Sequence, residues 1–300
     1  MSAAAPNVAA PSVAGPSGGR LRPYALNAPA LAVVGTLIVV PLVMTLVLSL
    51  HSFGTYTGVT DDVSLANYVE IVGDPYFHEI FLRTLRISAL VTLIAAAIGA
   101  PEAYILHRMA RPWRGIFLLV MLGPLLISVV ARTLGWALLL GSTGVVNQGL
   151  MALGLISAPL RLMHSETGVV IALVHVLMPF MIVAVWASLA RLDPQVENAA
   201  ASLGAGPFTV VRRVVLPQIA PGVLSGSIIV FALAASAFAT PAIIGGRRLK
   251  VAATLAYDEF LSTMNWPLGA AIAVLLLLAN IVIIVGCNRI VERRYAEVFR

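Results

Sequence analysis

The 300-residue sequence holds a single cysteine, Cys287. One thiol excludes a disulfide within the chain and a cysteine-built metal cluster, and it reads as a small apolar filler in a helix. Charge is scarce as well. Asp, Glu, Lys and Arg make up 11% of the residues, against about a quarter in an average soluble domain. No GxxxxGK[ST] loop occurs, and the paired glycines Gly18-Gly19 and Gly245-Gly246 open no phosphate-cradling helix. The five histidines are scattered at 51, 78, 107, 164 and 175, with no spacing that suits a metal or a Ser-His-Asp arrangement. These absences argue against nucleotide chemistry, nucleophilic catalysis and metal catalysis in this chain. The net charge of +6 does not indicate a nucleic-acid binder, because the basic residues form short clusters between apolar runs and no continuous face.

Hydrophobic residues are what the sequence has in abundance: 60% of the total, with a mean hydropathy of +0.97. A water-soluble fold of this size cannot cover so much apolar surface, so the expected solvent is lipid. Residues 1–27, rich in Ala, Pro, Ser and Gly, are expected to form a disordered cytoplasmic tail; their basic residues stand too late for a cleaved signal peptide. A helix crossing the roughly 30 Å hydrocarbon layer needs about 20 residues. By that measure the chain predicts an all-α, polytopic protein with about six spans: Ala28–Leu50, Arg83–Leu106, Gly115–Leu140, Thr167–Ala190, one within Val214–Gly246 starting near Gly222, and one within Phe260–Asn288 starting near Leu268. The transmembrane domain is then 28–290 and a short cytoplasmic tail follows at 291–300. Arg132 falls in the third span, roughly 26 Å of helical rise past Gly115, which predicts a place near the far surface.

Arginines set the orientation. Arg20 and Arg22, then Arg108, Arg111 and Arg114, then Arg191, Arg212 and Arg213, then Arg289, Arg293, Arg294 and Arg300 all fall on one side if there are six spans. The positive-inside rule puts that side, and both termini, in the cytoplasm. The first outer loop is acidic, with Asp61, Asp62, Glu70, Asp74 and Glu79. Arg247, Arg248 and Lys250 are the outer loop that breaks the pattern.

Between the fourth and fifth spans, at 191–221, stands the stretch VENAAASLGAGPFTVVRRVVLPQIAPG (196–222). Asp193-Pro194 reads as a helix start, Asp as N-cap and Pro in the first turn. An alanine-rich helix over 195–203 breaks at Gly204 and Gly206, and Pro207 opens a second short helix through Val215. On it Phe208, Val211 and Val215 are expected to share a face, with Arg212 and Arg213 elsewhere. Pro217 lacks a backbone donor and is expected to help end this element. A small-residue helix, a glycine corner and an apolar-plus-basic helix suit a docking knob for a soluble partner.

ENAAASLGAG followed by VVLPQIAPGVLSG resembles the EAA loop of ABC-importer permeases, with Leu203, Gly204, Ala205, Leu216 and Pro217 in register. The loop's acidic position falls on Asn198, with Glu197 just before it, and either residue fills the role. GPLLISVVARTLGWALLLGSTGVVNQGLMALGLI (123–156) and GGRRLKVAATLAYDEFLSTMNWPLGAA are similar to segments of the spermidine/putrescine subgroup. The resemblance covers roughly residues 25–295. It implies a permease subunit in a bacterial inner membrane, working with a second homologous permease, a homodimer of ATPase subunits that holds the ATP and Mg, and an extracytoplasmic solute-binding protein. No cofactor, catalytic residue or nucleic-acid partner belongs to this chain under that reading. The resemblance also implies that Glu197, Asn198, Ala200, Gly204, Phe208 and Pro217 carry the docking and the loop's shape.

His175, Ser236 and Thr240 are candidates for the translocation path, because they are polar within apolar spans, and Asp258 and Glu259 for its outer mouth. Trp136, Asn265 and Trp266 read as interface aromatics and polar caps. The substrate is left between a polyamine and a related amino compound, opine or phosphonate: no acid stands mid-span for a polycation, and Arg247, Arg248 and Lys250 sit at the mouth. A secondary transporter independent of any ATPase is the alternative class; it calls for inverted repeats and mid-span ionisable groups.

Overall fold

The computed structural model describes residues 22–54 and 56–295; residues 1–21, which make up most of the tail expected at 1–27, and residues 296–300 lie outside that range. Helix α1 runs over Arg22–Ser49, so it starts before the expected Ala28. A short antiparallel hairpin follows, β1 His51–Gly54 against β2 Gly58–Val63, an addition to the otherwise helical expectation. Then come α2 Ala66–Gly73, α3 Pro75–Arg108, α4 Arg111–Leu122, α5 Val129–Leu140, α6 Val145–Ala152 and α7 Glu166–Leu189. The remaining helices are α8 Pro194–Ser202, α9 Pro207–Val210, α10 Leu216–Ala235, α11 Ala252–Leu261 and α12 Trp266–Tyr295. The chain divides into two units at Thr45. The first consists, among the described residues, of the apolar helix α1 as far as Thr45. It stays helical through Pro29 and Pro41, which is tolerable where no water competes for backbone groups.

Among the described residues, six helical segments are long and apolar enough to cross a membrane: Asn27–Ser49, Pro75–Arg108, Val129–Ala152, Glu166–Leu189, Pro207–Ala235 and Trp266–Arg289. The number agrees with the sequence pattern, but two of its spans are corrected. The expected third span, Gly115–Leu140, is not one helix. It breaks over Gly123–Ser128, where a 3-10 turn at Gly123–Leu126 separates α4 from α5. Pro124 removes a backbone donor there, and a helix rarely runs straight through such a site. The fifth span does not begin near Gly222. Helix runs on from Pro207 through a wide π turn at Val211–Val215 into α10. Pro217 therefore does not end the preceding element. It sits in the first turn of α10, and the widened turn before it, in which Leu216 N–H reaches back to Val211 O, absorbs the missing donor.

The core is built by α3, α7 and α10. Lipid tails are as apolar as leucine, so close approach of backbones does much of what burial does in water. Gly222 and Gly226, one turn apart on α10, face α7. A Cβ at Gly222 would stand 2.9 Å from Ala184 O, and one at Gly226 would stand 2.8 Å from Met181 Sδ. From α3, a Cβ at Gly99 would meet the same residue, Met181, at Cγ, 3.0 Å away. A second cluster joins α2, the start of α3, α11 and α12 through Ile71, Phe77, Ile80, Leu255 and Ile272. Thr84 of α3 fastens it, accepting from Ala252 N at 2.9 Å while donating to Ile80 O. At the same end Arg86 pairs with Glu166, and Arg83 with Glu79.

Candidate functional site

The 191–221 segment lies at the end of the core where α3 stops. Asp193 caps α8 as its sequence requires, accepting from Gln195 N at 2.9 Å. Gly204 turns the corner with φ +85°. Its N–H donates to Ala201 O at 3.0 Å, and Ala205 N–H donates to Ala200 O at 3.1 Å. These two bonds make a Schellman motif, which places a left-handed residue just past the helix end.

Glu197 and Asn198, adjacent in sequence, have opposite environments. Glu197 is buried, 8% exposed, and its carboxylate pairs with Arg108 at the C-terminal end of α3. Tyr104, one turn earlier on α3, directs its hydroxyl to the same carboxylate at 3.3 Å, and Arg108 lies over the Tyr104 ring at 5.1 Å. Asn198 is exposed. Both line a cavity of about 380 Å³ between α3 and the segment, with Ala201, Pro207 and Val211 on its other walls. Arg114 closes the same end of α3, donating to His107 O at 2.6 Å and Met109 O at 3.0 Å, where free helix carbonyls attract a cation.

The face expected to join Phe208, Val211 and Val215 is different in the structure. The π turn shifts the register, so Val210, Val215 and Ile219 form the buried stripe. Phe208 points away, 77% exposed, and Leu203 is 89% exposed. Ala200 packs, half-buried, against the core, and Pro217 is exposed. The segment is thus held to α3 through an acid and presents two bare apolar side chains on its outer side.

A second cavity, about 350 Å³, opens between α5, α7 and the end of α10. Leu173, Val176, Leu177 and Phe180 line it, roughly 10–21 Å along α7 from Glu166. On a 24-residue helix that is the middle. Arg132 lines it too, which corrects the expected place near the far surface: the bend at 123–128 invalidates a rise counted straight from Gly115. Thr240 forms part of the wall and its hydroxyl lies 3.2 Å from that of Thr133. One turn along α5, Trp136 donates from Nε1 to His175 Nδ1 at 3.1 Å. Trp136 is therefore a partner of His175 inside the protein and not an interface anchor. Thr240 and His175 are brought close to this cavity. Ser236 is exposed, and its hydroxyl donates to Ala232 O at 2.8 Å on its own helix.

Asp258 and Glu259 stand on α11. Asp258 accepts from Lys250 Nζ at 2.8 Å. That hydrogen bond, working against burial, raises the Lys250 pKa above the ordinary lysine value. Glu259 accepts from Thr263 Oγ1 at 2.5 Å. Trp266 donates to Phe260 O, and Asn265 Oδ1 accepts from Leu268 N.

Residues 62–297 match the family described as the binding-protein-dependent transport system inner membrane component. The chain belongs to this family. The permease is 29% identical over 235 residues to the spermidine/putrescine transport system permease protein PotB of Haemophilus influenzae, covering 77% of this chain and 82% of that protein. It is 30% identical over 213 residues to PotB of Escherichia coli K12, covering 71% and 77%. Among solved structures it resembles a chain of the bacterial alginate ABC transporter in complex with an alginate pentasaccharide-bound periplasmic protein, with TM-score 0.74 and 19% identity over 90% of the permease and 93% of that chain. At that identity the likeness establishes the fold alone. The permease is an ABC-importer subunit, a multi-pass transport component.

Sequence reasoning missed three features of the permease. Arg108 is the partner of Glu197, 89 positions away, and nothing local marks the pair. Asn147, fully buried, ties the α6 turn to Leu160 through Leu160 N at 2.8 Å and Leu160 O at 3.1 Å. The Trp136–His175 bond had a partial signal, since an ionisable group within a span calls for a partner.

Proposed function

We propose that the permease couples closure of an ATPase dimer to alternating access for a small organic solute through residues 195–215. ATP and Mg belong to the ATPase subunits, a second homologous permease completes the pore, and an external binding protein delivers the solute. Both termini lie in the cytoplasm, on the side of the arginine clusters. The solute is of polyamine type or a related amino compound, opine or phosphonate; the likeness to the two PotB proteins supports the first. The observation that carries this reading is the arrangement at the end of α3: Leu203 and Phe208 are bare on the outer side of the segment, Glu197 binds it to Arg108, and helix continues from Pro207 into α10. A socket on the ATPase that takes Leu203 and Phe208 moves α8, and α8 pulls on α3 and α10 together. ATP binds one of the two packings better and so shifts the population between them. Glu197 and Gly204 shape the lever, Ala200 and Pro217 seat it, and Asn198 and Phe208 meet the partner.

Placing aspartates at Ala199 and Ala201 in the complete importer tests this. Uptake is expected to fall to background while the permease still inserts and its partners still assemble around the membrane domain. Normal uptake in that variant sinks the coupling role.

A further inference from the structure

We propose that Arg132 forms an ion pair, at mid-depth in the membrane, with a carboxylate on the second permease. The inference rests on the reading that a second permease completes the pore.

Arg132 is a cation in the middle of an apolar layer. Its Nε and Nη1 are buried without a hydrogen-bond partner, and no ion pair among the described residues includes it. The cavity it lines is otherwise apolar but for Thr240, with Leu173, Val176, Leu177 and Phe180 on one side and Phe238 on another. A guanidinium always carries its charge, and an ion at this depth is costly unless paired. Nε and Nη1 are closed off and Arg132 lines the cavity, so the partner meets the remaining nitrogen, Nη2, from the cavity side. Depth removes lipid phosphate from consideration, because the cavity lies about two to four turns from the end of α7. A solute anion would compensate Arg132 only while it is passing. A carboxylate fixed in the pore wall compensates it throughout the cycle.

A second copy of this chain cannot supply that acid. Within the six apolar segments the described acids are Glu79, Glu102 and Glu166. Glu79 and Glu166 already pair with Arg83 and Arg86 at the far end. Glu102 stands about one turn beyond Gly99, which is level with Met181 of α7. That places it at least one turn below the deepest wall residue of the cavity, toward the end of α3 that bears Arg108. A two-fold axis along the membrane normal keeps every residue at its own depth, so a homodimer sets two unpaired arginines at mid-membrane and brings no acid to either.

The test uses the complete importer in proteoliposomes: this chain, its second permease, the ATPase and the binding protein. In a Cys287→Ser background, Arg132→Cys is combined with single cysteines replacing, one at a time, each Asp and Glu in the apolar spans of the second permease. A short bifunctional thiol reagent is applied and cross-links are read on a gel. One position is expected to cross-link. Arg132→Gln is expected to lower uptake on the order of 100-fold, as breaking a buried pair does, and changing the cross-linked acid to its amide is expected to restore much of that loss. No cross-link at any acid, unchanged uptake in Arg132→Gln, or transport by this chain as its own partner overturns the proposal. So does a defect in Arg132→Gln that no change in the second permease relieves, which marks Arg132 as a ligand of the solute. If Arg132→Gln does not assemble, the cross-link decides. The aspartate variants of Ala199 and Ala201 are assayed alongside with Arg132 intact, so the coupling reading stands or falls separately.

Discussion

Changing Glu197 to Gln removes one charge and keeps the side chain's size, so it isolates what the acid does for the lever. In the wild type the carboxylate pairs with Arg108 and takes a long hydrogen bond, 3.3 Å, from Tyr104. A hydrogen bond to a charged group is worth about 1.5–3 kcal/mol when buried. Here the acid is buried but the Arg108 side chain is 54% exposed, and exposed pairs are worth about 0–1 kcal/mol. The intermediate case gives about 1–2 kcal/mol, a factor of roughly 5–30 in the equilibrium between a docked and an undocked α8. Two assays read it. Amide exchange in α8 is expected to speed up by that factor in Glu197→Gln. In the reconstituted importer, ATP is expected to be hydrolysed with fewer solute molecules moved per cycle. Arg108→Gln is expected to produce the same defect, and the double variant no more than either alone, which is the signature of a direct interaction. Additive losses, or α8 exchange unchanged in Glu197→Gln, refute the strut.

Gly204→Ala forces a Cβ into the left-handed region at φ +85° and is expected to cost about 1–2 kcal/mol, seen as faster exchange of the Ala205 amide; Gly204→Asn is expected to cost less. Gly226→Leu overfills the contact with Met181 and Ala184 and is expected to destabilise the core by about 1–3 kcal/mol, read by thermal unfolding in detergent; an unchanged midpoint contradicts the close packing of α7 and α10. Trp136→Phe keeps the ring but withdraws the donor from His175 Nδ1. It is expected to cost about 0.5–1.5 kcal/mol and to move the Nδ1 resonance of His175 in nitrogen-labelled protein, while an unmoved resonance means the bond is not made.

Helix starts were legible where one residue type has one local use. Asp193 before Pro194 gave the cap of α8, and Gly204 the corner after it, because both depend on neighbours within a few positions. The break between α4 and α5 was also written in the sequence, as Gly123-Pro124, but an unbroken apolar run hid it: hydropathy does not register a bend. The wide turn at Val211–Val215 was not legible. Five valines and arginines suit an ordinary helix, and only the fit of Pro217 and of the buried stripe Val210, Val215 and Ile219 selects the extra residue.

By itself the sequence determined the solvent, the number of crossings and the segment that breaks the apolar pattern, because each follows from a sum over a long window or from a short-range motif. Tertiary structure alone decided which way each side chain faces: Glu197 inward to Arg108, Phe208 outward, Arg132 to mid-depth, Trp136 to His175. In water a buried face is apolar and an exposed one polar, so periodicity reveals the inside. In lipid both faces are apolar, and a helix such as α7 carries no stripe to read; the choice is left to contacts with helices far away in the chain.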